Sequence, residues 1–170
     1  TVKKYHIFPP KDNLKWAQIC EGIIRHYTEG WANGFHYEMK YWELWNEPDT
    51  GYKEGNSPTW CGTMDEFFAM FKTALIYLKE KFPNLRIGGP GLCSVTDSYD
   101  ILCDMLSYLS TGVRAPLDFF SWHMYGNEPQ EEFSRKIRIV DEVLKKYGYP
   151  DTENILNEWN YVKCWTDMQE

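Results

Sequence analysis

The chain has 170 residues, a length suited to one domain and sufficient to bury a core. With 43% hydrophobic and 25% charged residues, its balance is that of a soluble globular protein. A net charge of −7 argues against a phosphate-backbone partner, so no nucleic acid is expected, and no window reaches the apolar length of a membrane span.

Residues 1–12 read as a loop ending Pro9-Pro10-Lys11-Asp12. A helix follows, capped by Asp12 or Asn13, with Trp16, Ile19, Cys20, Ile23, Ile24 and Tyr27 at helical spacing. Gly30 and Gly34 close that region. Residues 39–47 read as a strand. Thr63-Met64-Asp65-Glu66 is a capping box, in which a hydroxyl and a carboxylate three residues apart each bond a free backbone N–H. The helix it opens carries Phe67, Phe68, Phe71, Ala74, Leu75 and Leu78 on one side and stops at Pro83-Asn84.

Residues 85–90 form a short strand entering a glycine turn, and 99–109 form a helix broken by Gly112. A strand over 117–125, a helix over 130–147 and a last strand over 154–158 complete the order α-β-α-β-α-β-α-β. Such alternation implies a parallel sheet with right-handed crossovers. Gly88-Gly89-Pro90-Gly91 is not a dinucleotide-binding turn, because proline removes an N–H that a phosphate would use. A (β/α) barrel fits better, since polar residues gather where strands end.

Side chains alternate along a strand. Glu43, Trp45 and Glu47 therefore share one face; Phe119, Ser121, His123 and Tyr125 share another, as do Leu156 and Glu158. Glu47 and Glu158 would then end two strands at one rim, with His123 and Tyr125 between them. Two carboxylates at one rim suit glycoside hydrolysis, one holding a proton and one ionised. The acid needs a raised pKa, and Tyr125 is placed to hydrogen-bond Glu158. Asn46 is placed to bond a sugar hydroxyl. Glu43 points inward into a polar network under the site, while Asp49 and Asp97 read as turn or cap residues. Trp42, Trp45, Trp122 and Trp159 can stack on sugar rings, although at least half of them should pack in the core or the barrel wall. A lone Asn-Glu-Pro would be only a polar turn; the argument rests on two Asn-Glu pairs with a His-x-Tyr strand end between them.

Five scattered cysteines, Cys20, Cys61, Cys93, Cys103 and Cys164, show no zinc spacing and read as free thiols, mostly buried. This favours a reducing, cytoplasmic compartment. The chain opens at Thr1 without a signal-peptide pattern, which hints at a piece of a longer protein.

Tyr41-Trp42-Glu43-Leu44-Trp45-Asn46-Glu47-Pro48-Asp49 resembles the acid/base strand of clan A glycoside hydrolases, closest to family 39, which holds β-xylosidases and α-L-iduronidase. Pro9-Pro10-Lys11-Asp12 with its Trp-bearing helix resembles the segment before that strand. Gly88-Gly89-Pro90 resembles the family's fifth strand, residues 118–125 its sixth, and Leu156-Asn157-Glu158-Trp159 its seventh. The family often has Thr where Asn157 stands. The resemblance implies an α/β fold, a partial (β/α)8 TIM barrel covering strands 4–7. It implies a retaining enzyme, exo-acting and β-xylosidase-like, with Glu47 as acid/base and Glu158 as nucleophile. Asn46, His123, Tyr125 and Trp159 would bind the sugar, and no metal or cofactor is implied. An endo-glycanase of the same clan and a non-catalytic carbohydrate-binding piece are the competing readings. Open sheet edges of a partial barrel would also allow a homo-oligomer.

Overall fold

A computed structural model describes residues 7–126 and 130–161. Four helices alternate with four strands: α1 (Asn13–Thr28), β1 (Tyr41–Glu43), α2 (Met64–Lys81), β2 (Arg86–Leu92), α3 (Tyr99–Ser110), β3 (Phe119–Gly126), α4 (Gln130–Lys146) and β4 (Glu153–Tyr161). All strand pairs are parallel, and the spatial order β1-β2-β3-β4 follows the chain order. A doubly wound sheet reverses its order at a switch point, whereas a barrel wall advances one strand at a time. The sheet is accordingly a curled half-barrel.

The helices form as their sequences dictate. Asp12 caps α1 by accepting the Lys15 N–H at 3.0 Å. Thr63 and Glu66 make both bonds of the capping box on α2, a feature of about 1 kcal/mol. Phe67, Phe71, Ala74, Leu75 and Leu78 of α2 are buried against the sheet. Each large side chain among them contributes roughly 1.5–3 kcal/mol by leaving water. Phe67→Ala would therefore be a severe lesion, at about 3–5 kcal/mol.

Several local expectations are corrected. In α1, only Ala17 and Ile24 are buried; Ile19, Ile23 and Tyr27 are exposed. They line an apolar groove with Trp31, and no described element packs onto that face. The glycine turn after residue 87 is instead strand: β2 runs through Gly88-Gly89-Pro90-Gly91 to Leu92. The glycines permit close approach, since a Cβ on Gly88 would sit 2.0 Å from the Phe119 carbonyl oxygen. Cys20, Cys93 and Cys103 are free and half-buried, while Cys61 is free and exposed. Cys164 lies outside the described residues.

The strand over 39–47 shrinks to Tyr41–Glu43. Trp45 and Glu47 adopt left-handed backbone, with φ of 75° and 49°. Strict alternation therefore ends at Glu43, and Trp45 does not share the face of Glu47. Its ring lies 5.2 Å from Trp60 and 6.2 Å from Phe67, on the helix side. No described helix is long and apolar enough to cross a membrane.

Candidate active site

The left-handed turn that carries Trp45 away brings Glu47 inward. A bulky residue at positive φ costs about 1–2 kcal/mol and persists only where its surroundings over-determine it. Glu47 is held on both sides of its backbone. Its N–H donates to the Gly91 carbonyl at 2.9 Å, and its own carbonyl accepts from the Thr50 N–H and the Thr59 hydroxyl.

His123 reaches the same place from β3. It is fully buried, and its Nδ1 lies 2.7 Å from Glu47 Oε1 and 3.6 Å from Glu158 Oε2. Tyr125, two residues on, donates its hydroxyl to Glu158 Oε2 at 3.1 Å. One donor atom each of Glu47, His123 and Glu158 lie within 4.8 Å of one another. That spacing also suits a cation, but the His123 nitrogen nearest both carboxylates is already committed to Glu47.

The electrostatics differ from the sequence expectation. The Glu47 carboxyl is held below its ordinary value, first by the hydrogen bond from His123; burial opposes this, and the His123 charge, Thr50 and Cys93 add to it. For His123, burial pulls the imidazole down. The Glu47 hydrogen bond and the Glu158, Glu47 and Glu43 charges outweigh it, so its pKa is raised. Both shifts favour the charged pair, with the proton on His123 rather than on Glu47. Burial alone would have raised Glu47, but a buried imidazole at hydrogen-bond distance reverses the sign.

A second network lies directly beneath. Ser121 donates to Glu43, and the Gly91 N–H donates to Ser121 Oγ at 2.9 Å. Asn157 Nδ2 donates to both Glu43 oxygens at 3.1 Å. The expected inward position of Glu43 is thus observed. Asp49 accepts from the Cys93 and Ser94 N–H groups and from the Ser98 hydroxyl. It ties the loop after β1 to the loop after β2, so it is a loop clamp. Asp97 closes a local turn with Ser94.

Asn46 approaches the cluster: its Oδ1, His123 Nε2 and Glu43 Oε1 all lie about the Cβ position that Gly91 lacks, at 3.2, 3.1 and 3.3 Å. Trp159 does not join it. The Trp159 ring meets Phe133 of α4 edge-on at 6.2 Å, on the helix side of β4. Trp42 and Trp45 pack against the core, and Trp122 is buried within it. Sequence reasoning missed Thr50, Thr59, Gly91 and Cys93. Burial pushes the Cys93 thiol up to about 11, so it stays a neutral S–H beside Glu47. Only the run of glycines at 88–91 hinted at close packing there.

A barrel wall with a carboxylate pair at the C-terminal ends of its strands is the class of scaffold that glycoside hydrolysis uses. The family model for glycosyl hydrolases family 39 matches residues 2–160. The chain belongs to that family. It is 25% identical over 178 residues to a β-xylosidase of Geobacillus stearothermophilus, covering 92% of this chain and 33% of that protein. It is 32% identical over 124 residues to a β-xylosidase of Caldicellulosiruptor saccharolyticus, covering 72% and 23%. Among solved structures, a glucosidase from Croceicoccus marinus superposes with a TM-score of 0.80 at 31% identity, covering 92% of this chain and 32% of that one. A family 39 β-xylosidase from Caulobacter crescentus shares the fold, with a TM-score of 0.69 at 18% identity over 93% and 32%. The chain thus spans about a third or less of the length of the relatives it matches.

Proposed function

We propose that the protein carrying this chain is a retaining, exo-acting glycosidase of β-xylosidase type, with Glu158 as nucleophile and Glu47 as acid/base. The observation that carries this reading is the carboxylate spacing. Glu47 and Glu158 present oxygens within 4.8 Å of one another. Retaining enzymes hold the pair about 5–5.5 Å apart, while inverting ones need roughly 6.5–9.5 Å to admit a water. Two curated relatives are β-xylosidases, which supports a xyloside as the substrate.

In the first step a Glu158 oxygen forms a bond to the anomeric carbon as the bond to the leaving oxygen breaks. The leaving oxygen keeps the electron pair and takes a proton from Glu47. The shifts favour that proton on His123, 2.7 Å away; its transfer to Glu47 gives the tautomer that acts as general acid. In the second step Glu47 accepts a proton from water, which attacks the anomeric carbon and releases Glu158. Asn46 and Tyr125 would hold the reacting sugar against these groups.

The test is turnover of aryl β-xylosides by the full-length protein. Glu47→Gln should lower kcat/KM by about 10²–10⁴-fold for poor leaving groups. Substrates with good leaving groups should be affected least. An unchanged rate, or an equal loss for every leaving group, removes Glu47 from the acid role.

A further inference from the structure

β4 does not keep its alternation. Along the ladder with β3, Trp122 pairs with Leu156 and His123 pairs with Glu158, so Asn157 is one extra residue on β4. Such a bulge re-aims the side chains that follow it. Leu156 packs against the hydrophobic core on the helix side. By strict alternation Glu158 would point the same way, away from the site. Instead Asn157 and Glu158 both point inward, Asn157 to Glu43 and Glu158 to Tyr125. The bulge is what brings Glu158 to the side of His123.

The bulge has a built anchor. Asn157 Nδ2 reaches both Glu43 oxygens, and Oε1 also accepts the Ser121 hydroxyl, itself fixed by the Gly91 N–H. Glu43 lies on β1 and Asn157 on β4, the two ends of the sheet order. One carboxylate thus ties edge strand to edge strand across the curled interior face, with β2 and β3 contributing the remaining bonds. We propose that Glu43 is a positioning residue for Glu158: through Asn157 it holds the β4 bulge that turns Glu158 into the site. This rests on the reading of Glu158 as nucleophile.

The experiment uses the full-length protein and an activated xyloside with fluorine beside the anomeric carbon, which accumulates the glycosyl–enzyme. Mass spectrometry of the labelled peptide locates the bond, and the time course gives the labelling rate constant apart from the binding constant. If wild type labels elsewhere or not at all, the nucleophile reading fails and this inference with it. With Glu158 labelled, Asn157→Asp sets two carboxylates against each other and should slow labelling by about 10–100-fold, the scale of an ångström misplacement. The binding constant should stay near wild type. Glu43→Gln combined with Asn157→Asp restores a donor facing an acceptor with the charge conserved, and should recover the rate to within about threefold. Should Asn157→Asp not fold, Asn157→Ala removes the tie without adding charge and is read in the same way. Labelling of Glu158 in Asn157→Ala at wild-type rate, or no recovery in the reciprocal pair, overturns the proposal.

Discussion

The buried His123 ring holds its Nδ1 2.7 Å from Glu47 Oε1, and each group moves the other's protonation in the direction that charges both. The consequence for stability has a defined sign. Glu47 has a lowered pKa, so its contribution is full above its ordinary value of 4.5 and is lost as pH falls through the folded value below it. His123 has a raised pKa, so its contribution is full below 6.5 and is lost as pH rises through the folded value above it. The pair therefore supports the fold most between pH 4.5 and 6.5. His123→Gln should lower the melting temperature most in that window. A charge-assisted bond at the low end of its range, about 1.5 kcal/mol, corresponds to roughly 3–6 °C. Melting curves across pH check this, and a loss that does not vary with pH would contradict it.

Gly91→Ala separates crowding from backbone cost. Gly91 has φ +63° and Gly112 has φ +64°, so both substitutions carry the same left-handed penalty, about 1–2 kcal/mol. A Cβ at Gly112 meets nothing within 4 Å, whereas at Gly91 it would stand 3.1 Å from His123 Nε2. The two variants should lose similar stability from the backbone, with Gly91→Ala losing more. Only Gly91→Ala should also lower kcat/KM, by about 10-fold or more as the ring is displaced. Thermal melts and aryl xyloside kinetics on the pair give the comparison.

The helix caps, the element order and the parallel sheet were legible because each rests on local signals, as in the Thr63–Glu66 box and the stripe on α2. The fold brings together Glu47, His123, Tyr125 and Glu158, the residues named from the sequence, but the geometric reason given for their convergence was wrong at both ends. Parity failed at Trp45, where left-handed backbone follows the end of β1, and again at Asn157, where β4 bulges. Alternation is a property of regular strand, and both carboxylates stand just beyond an irregularity. The depressed Glu47 pKa was equally hidden, since it depends on a contact between residues 76 apart in sequence. The exposed stripe of α1 shows the converse: helical spacing gave the right element, while burial depends on what packs beside it.

Thr59→Val tests how the strained turn is held. The Thr59 hydroxyl donates to the Glu47 carbonyl, one of the bonds that keep Glu47 at φ 49°. Losing it should cost about 1 kcal/mol. It should also lower kcat by roughly 5–10-fold, because a relaxed turn points the carboxylate away from His123. Thr59→Ser keeps the hydroxyl and should restore both values. Failure of the serine to rescue would place the effect in the lost methyl packing instead.

Tyr125→Phe tests the support of Glu158, the proposed nucleophile. Burial first, and then the Glu158 bond and charge, raise the Tyr125 phenol above its ordinary value, so it remains a donor at any working pH. Removing that donor leaves Glu158 with one fewer hydrogen bond to hold it in line, worth about 1.5 kcal/mol or roughly tenfold in rate for a charged acceptor. The loss should fall on the step that forms the glycosyl–enzyme, read as kcat/KM on aryl xylosides, while the melting temperature changes little because Tyr125 is only partly buried. Trp159→Phe is the matched control. Its ring packs on Phe133 away from the cluster, so the rate should stay within about twofold, as for a surface substitution remote from the chemistry. An equal effect of the two substitutions would return Trp159 to the sugar site and weaken the case that the face of the strand decides which aromatic takes part.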